Sequence, residues 1–133
     1  MNISVDFSGL AEYQKRIKQA PEKASQAAEL SMKTFVVKVK SDVQKSLNVN
    51  FPPVSEPGTP PHKRTGHLYQ SVYNKINKLS SMVIQGVVGD NAEYAPMLEY
   101  GTSKMSPRPY IRPAVENNKN LFVNLFKIIF DKL

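Results

Sequence analysis

The side chains that could move a proton or hold a metal in the middle of this 133-residue chain are His62, His67, Glu93 and Glu99. Five residues apart, the two histidines share neither a helical face nor a familiar ligand spacing, and no cysteine is present to complete a site. Thiolate metal centres, disulfides and a cysteine nucleophile are excluded with it. Glu99 could serve as an acid or base, but with Arg108 and Arg112 nearby in sequence it reads first as an ion-paired carboxylate. "VGDNAEYA", residues 88–95, is too poor in glycine to cradle a phosphate. "GTSK", residues 101–104, sets a serine near a lysine without the glycine-flanked turn of a nucleophile. The expectation is therefore a non-enzymatic protein with no catalytic residue, cofactor or metal.

The segment 94–114, "YAPMLEYGTSKMSPRPYIRPA", is better suited to holding a neighbour. Its prolines limit the entropy lost on binding, and tyrosine and arginine are the residue types that anchor interfaces. Tyr94, Glu99, Tyr100, Arg108, Tyr110 and Arg112 are accordingly expected at a subunit or partner interface. The alternative is a strap that covers the sheet edge and core of its own subunit.

The elements that would position this segment can be read from periodicity. Ile3, Val5 and Phe7 alternate as in a strand, with Ser8 a possible cap for the helix after it. Helix-permissive sequence runs from Ala11 to Gln19, and Pro21 restarts a helix to Leu47. Its apolar stripe is Ala24, Ala28, Met32, Phe35, Val36, Val39, Val43 and Leu47. A proline-rich loop or arm over 48–64 follows, either ordering against a neighbour or disordered at the surface. Thr65 can cap one helical turn, after which "SVYNKI" and "MVIQGVVG" form a β-hairpin with turn chemistry in "NKLSS". Pro96 starts a short helix that Gly101 ends, and a last helix begins near Pro113. That last helix is apolar over more than half its circumference, so part of it, including Phe122, Phe126 and Phe130, is expected at a subunit interface.

The formal charge of +7 falls in two acid-free zones. One lies between Glu56 and Asp90 and holds Lys63, Arg64, Lys75 and Lys78, which could face DNA, the last two on an exposed outer face of the hairpin. The other, from Thr102 to Val115, holds Lys104, Arg108 and Arg112. No helix-turn-helix, zinc finger or stacking-aromatic motif accompanies them, so a basic nucleic-acid-binding module is the second reading. The start of the chain lacks a signal-peptide pattern, and Asn124, Lys127 and Asp131 interrupt the longest apolar run, so no membrane partner is expected.

Three groups of residues in one order carry a resemblance. Thr65-Gly66 precedes Leu68 and Ser71; Tyr94-Ala95 precedes Glu99-Tyr100-Gly101-Thr102; then comes Arg108-Pro109-Tyr110-Ile111-Arg112-Pro113-Ala114. Together they resemble the tail-component proteins of long-tailed bacteriophages and prophages, described as tail-completion, tail-terminator or head-to-tail joining proteins. Phenylalanine is more usual in that family at the positions of Tyr100 and Tyr110. The resemblance implies one α+β domain over 1–133, a small antiparallel sheet packed on a long N-terminal helix with a short helix and a C-terminal helix. It also implies self-association in a six-fold ring, contact with neighbouring connector or tail proteins, and DNA passing through the lumen. The implied location is the virion neck, reached from the host cytoplasm during assembly.

Overall fold

The computed structural model describes residues 12–80 and 83–133. The strand expected over Ile3, Val5 and Phe7, and the cap at Ser8, lie outside the described residues.

The fold is α+β and is built on one long helix. A short α1 (Gln14–Gln19) leads into α2 (Pro21–Ser46), whose proline sits in the first turn, where a missing N–H costs nothing. At 26 residues, α2 is roughly 39 Å long. Its buried face is Ala24, Ala27, Ser31, Met32, Phe35, Val36, Val39 and Val43, continued by Leu47. This is the anticipated stripe with Ala27 in place of Ala28 and with Ser31 added. The buried Ser31 hydroxyl is satisfied within the helix, donating to the Ala27 carbonyl at 2.6 Å.

A two-stranded antiparallel sheet, β1 (Val72–Ser80) and β2 (Val83–Asp90), lies against α2. A lone hairpin is marginal in water, so packing on the helix is what stabilises it. Val72 and Val88 enter the core beside Met32 and Val36, with Ile76 and Ile84 packed against them. Gly86 sits opposite Ile76 where helix and sheet approach most closely: a Cβ there would strike the Met32 sulfur and lie 2.7 Å from Val36 Cγ1. Of the turn expected in "NKLSS", residues 77–80 belong to β1 instead, with a register shift between Lys78 and Ser80, and residue 81 lies outside the described residues. Polar residues here pair across strands instead of turning, as in the 3.1 Å hydrogen bond from Asn77 to Gln85.

After α3 (His67–Gln70) and the hairpin come α4 (Ala95–Tyr100), α5 (Arg112–Asn117) and α6 (Lys119–Lys132). Thr65 does not cap α3 as expected: Gly66 occupies the N-cap position at φ 82° with no side-chain cap, and the Thr65 hydroxyl, one residue earlier, accepts the His67 N–H at 3.3 Å. Gly101 ends α4 at φ 75°, and a Cβ there would crowd the Met105 carbonyl and Pro107 at 2.9 Å. The final helix is two helices rather than one. Asn118 separates them, and its buried amide donates to Asp42 Oδ2 at 2.9 Å and to the Ala114 carbonyl at 2.6 Å, fixing the break to α2.

Phe122, Phe126 and Phe130 do not form the expected subunit interface. They are 2%, 4% and 1% exposed, directed into the chain's own core. Phe122 meets Phe35 edge-to-face at 6.1 Å, and Phe126 and Phe130 fill a second cluster over the small side chains of Ala24 and Ala27. The small residues of α2 leave room for two of the three phenylalanine rings, and Phe122 packs on Phe35, so the apolar excess of α6 is mostly used internally. Tyr13 and Ile17 pack on the same cluster, and Arg16 pairs with Asp131 at 2.8 Å. Ile128 and Leu133 keep the exposed part of that excess.

Candidate functional site

The C-terminal part of segment 101–111 is held by Glu99, Arg108 and Tyr110, three groups expected to meet a neighbour. Glu99, projecting from α4, is buried. Its Oε2 accepts the N–H groups of Tyr110 and Ile111 at 2.9 and 3.1 Å, and its Oε1 accepts that of Arg112 at 2.9 Å. These amides lead into α5, whose first turn would otherwise have unsatisfied donors and a partial positive charge; a carboxylate answers both. The expected ion pair with Arg108 or Arg112 and the interface role for Glu99 are thus corrected to a cap supplied by one helix to another.

Tyr110 is likewise internal. It is 1% exposed, and its hydroxyl donates to Asp90 Oδ2 at 3.0 Å. Asp90 Oδ1 in turn accepts the Ala92 N–H at 3.0 Å. Burial, then the nearby Asp90, pushes the Tyr110 hydroxyl far above the usual phenol range. Burial also raises the Asp90 carboxyl, against the opposing pull of the Ala92 amide, the Tyr110 hydroxyl and the charge of His67. The interface assignment of Tyr110 is corrected: the hydroxyl needs an internal acceptor because its ring lies in the core.

Arg108 joins the segment to the proline-rich loop. Its Nε donates to Ser55 Oγ at 3.0 Å and its Nη2 to the Ser55 carbonyl at 3.4 Å, while its backbone N–H donates to the Leu98 carbonyl at 2.6 Å. The Gly58 N–H reaches the Pro107 carbonyl at 2.9 Å. Residues 48–64 are therefore tied back onto their own chain, with Ser55 and Pro61 buried, where an arm ordering against a neighbour or surface disorder was expected.

What these ties leave at the surface is coherent. Tyr94, Met97 and Tyr100, three residues apart along α4, are 41%, 51% and 54% exposed. Phe51 and Val54 of the loop are exposed as well. Phe51, Val54 and Tyr94 border a cleft of about 560 Å³ whose deeper lining includes Leu47, Leu68, Leu98 and Met105. Lys63, Arg64 and Arg108 also line it, beside His62 and His67, and among the described residues no aspartate or glutamate does. Lys63 Nζ donates to Asn48 Oδ1 at 3.2 Å, and the Arg64 guanidinium lies 4.4 Å from the centre of the Phe51 ring. Arg112 is exposed and makes no ion pair among the described residues.

The four candidate DNA-facing cations do not share one surface. Lys75 and Lys78, an odd number of residues apart on one strand, point to opposite faces, which corrects their common placement on the outer face. Lys78 turns toward α2 and approaches Glu29 at 3.6 Å, while Lys63 and Arg64 belong to the cleft. The sequence reading missed Met97, Ser55 and Asp90. The three-residue spacing of Tyr94, Met97 and Tyr100 was a usable signal for Met97; nothing local marked Ser55 or Asp90, whose partners are 53 and 20 residues away. Among the described residues no group of three His, Asp or Glu side chains could hold a metal, and no helix is long and apolar enough to cross a membrane. No protein-family model, curated protein or solved structure matches the chain.

Proposed function

We propose that this chain is a structural, non-enzymatic subunit of the neck of a long-tailed bacteriophage or prophage, forming or completing a ring at the head-to-tail junction. The observation that carries the reading is the exposed apolar surface of Tyr94, Met97 and Tyr100, which meets Phe51 and Val54 at a basic cleft. Contiguous apolar exposure with a polar rim is the mark of a protein-binding surface. The carboxylate most available for catalysis by sequence, Glu99, is committed to capping α5. The motif resemblance agrees with this picture: Glu99 of "EYGT" binds the backbone of "RPYIRPA", so the two act as one structural unit that presents α4.

The alternative is a module that binds nucleic acid directly, and the division of Lys75 and Lys78 between two faces of the hairpin weighs against it. Light scattering on the purified chain, with DNA binding measured at low and high salt, separates the two. Assembly predicts concentration-dependent oligomers and weak DNA binding. A monomer that binds DNA tightly and loses it steeply with salt would replace this reading with the alternative.

A further inference from the structure

The cleft beside α4 combines two properties that together define an occupant. Its permanent cations, Lys63, Arg64 and Arg108, contact neutral groups: an asparagine oxygen, an aromatic ring and the two oxygens of Ser55. Among the described residues none of the three pairs with a carboxylate. Lys63 and Arg108 are partly buried, where attraction to an anion is screened less than at an open surface. Leu47, Val54, Leu68, Leu98 and Met105 give the same cleft an apolar wall. A nucleic-acid phosphate would answer the charge and leave that wall wet; a purely apolar segment would fill the wall and leave the charge unanswered.

We propose that the cleft binds a segment of a partner protein in which Asp or Glu stands beside large apolar side chains. The carboxylate meets Arg108 and Lys63, and the apolar side chain enters between Val54, Leu68 and Leu98. At about 560 Å³ the cleft has the size of pockets that enclose compact ligands. This proposal rests on the reading of the chain as an assembly subunit and specifies which partner chemistry one of its surfaces accepts.

The test is selection of a random-sequence displayed peptide library on the immobilised full chain. Arg108→Gln, which keeps a donor for Ser55 but no charge, and Val54→Glu, at an exposed loop position that tolerates a charge, serve as comparison baits. Circular dichroism and urea unfolding establish that both variants fold. The expected enriched peptides place Asp or Glu next to Leu, Phe or Trp. The synthetic form of the most enriched sequence is expected to bind each variant at least about tenfold more weakly than the parent, to weaken with salt and to fail when its acids become lysines. Enrichment without acids, equal binding to parent and variants, no enrichment, or a single-stranded oligonucleotide that competes for the cleft would overturn the proposal. If acidic peptides bind but the chain never assembles, the assembly reading falls and the cleft stands. If assembly survives both substitutions and no acidic peptide binds, the cleft proposal falls and the assembly reading stands.

Discussion

Glu99 illustrates how a side chain that looks chemical in sequence becomes architectural once its neighbours are known. Three charge-assisted hydrogen bonds to the amides entering α5 make Glu99→Ala costly, about 3 kcal/mol in urea unfolding. Glu99→Gln, which retains one acceptor but turns an amide nitrogen toward an N–H donor, should lose about half of that. Nothing within 94–101 indicated that the acceptor's partners would be 11 to 13 residues downstream, so its burial was not legible. Two aspartates give opposite pH signatures. Asp42 is held below the usual carboxylate range, chiefly by its hydrogen bond to Lys38 and also by Asn118, against burial. Its contribution is present above the ordinary value of about 4 and is lost as pH falls through the lowered one. Asp90 is raised, so its contribution is present below that ordinary value and lost as pH rises through the raised one. The stability gap between the parent and Asp42→Asn should therefore shrink on acidification. The gap between the parent and Asp90→Asn should grow over the same range.

At the scale of elements, the sequence was informative where periodicity and punctuation act locally. Pro21, Gly101 and the β-branched runs of the hairpin placed α2, α4 and the two strands, and Thr65 marked the single turn of α3, because each signal constrains its own few residues. It misled where the answer depended on a packing partner. The apolar arc of α6 looked excessive because the depth of the alanine surface on α2, which accepts Phe126 and Phe130, cannot be judged from α6 alone. The same limit applied to Asn118, whose tie to Asp42 across 76 residues divides the last helix. Phe126→Ala should accordingly destabilise the isolated chain by roughly 3–5 kcal/mol, measured by urea unfolding at a concentration where it is dissociated. A pure interface residue would leave that value unchanged. Gly86→Ala should cost about 1–3 kcal/mol, because Met32 and Val36 must move to admit the methyl group.

Across the whole molecule, the residues first assigned to one interface divide into two sets. Glu99, Tyr110, the three phenylalanines and the half-buried Arg108 make their contacts within the chain, while Tyr94, Tyr100 and Arg112 remain at its surface beside Met97. The candidate site was legible as a region but not in its detail, since composition marks interface-type residues without saying which are turned inward. A substitution confined to the outer set should therefore separate folding from assembly. Met97→Glu is expected to leave unfolding within about 0.5 kcal/mol of the parent, as surface changes usually do, while preventing oligomers in light scattering. The proposed structural place at the head-to-tail junction is best checked by deleting the coding sequence from its source genome and counting phage particles by electron microscopy. Full heads and tails should then accumulate unjoined, or heads lose their DNA, and the parent chain should restore joined particles. Joined, DNA-filled virions in normal numbers without the chain would contradict it.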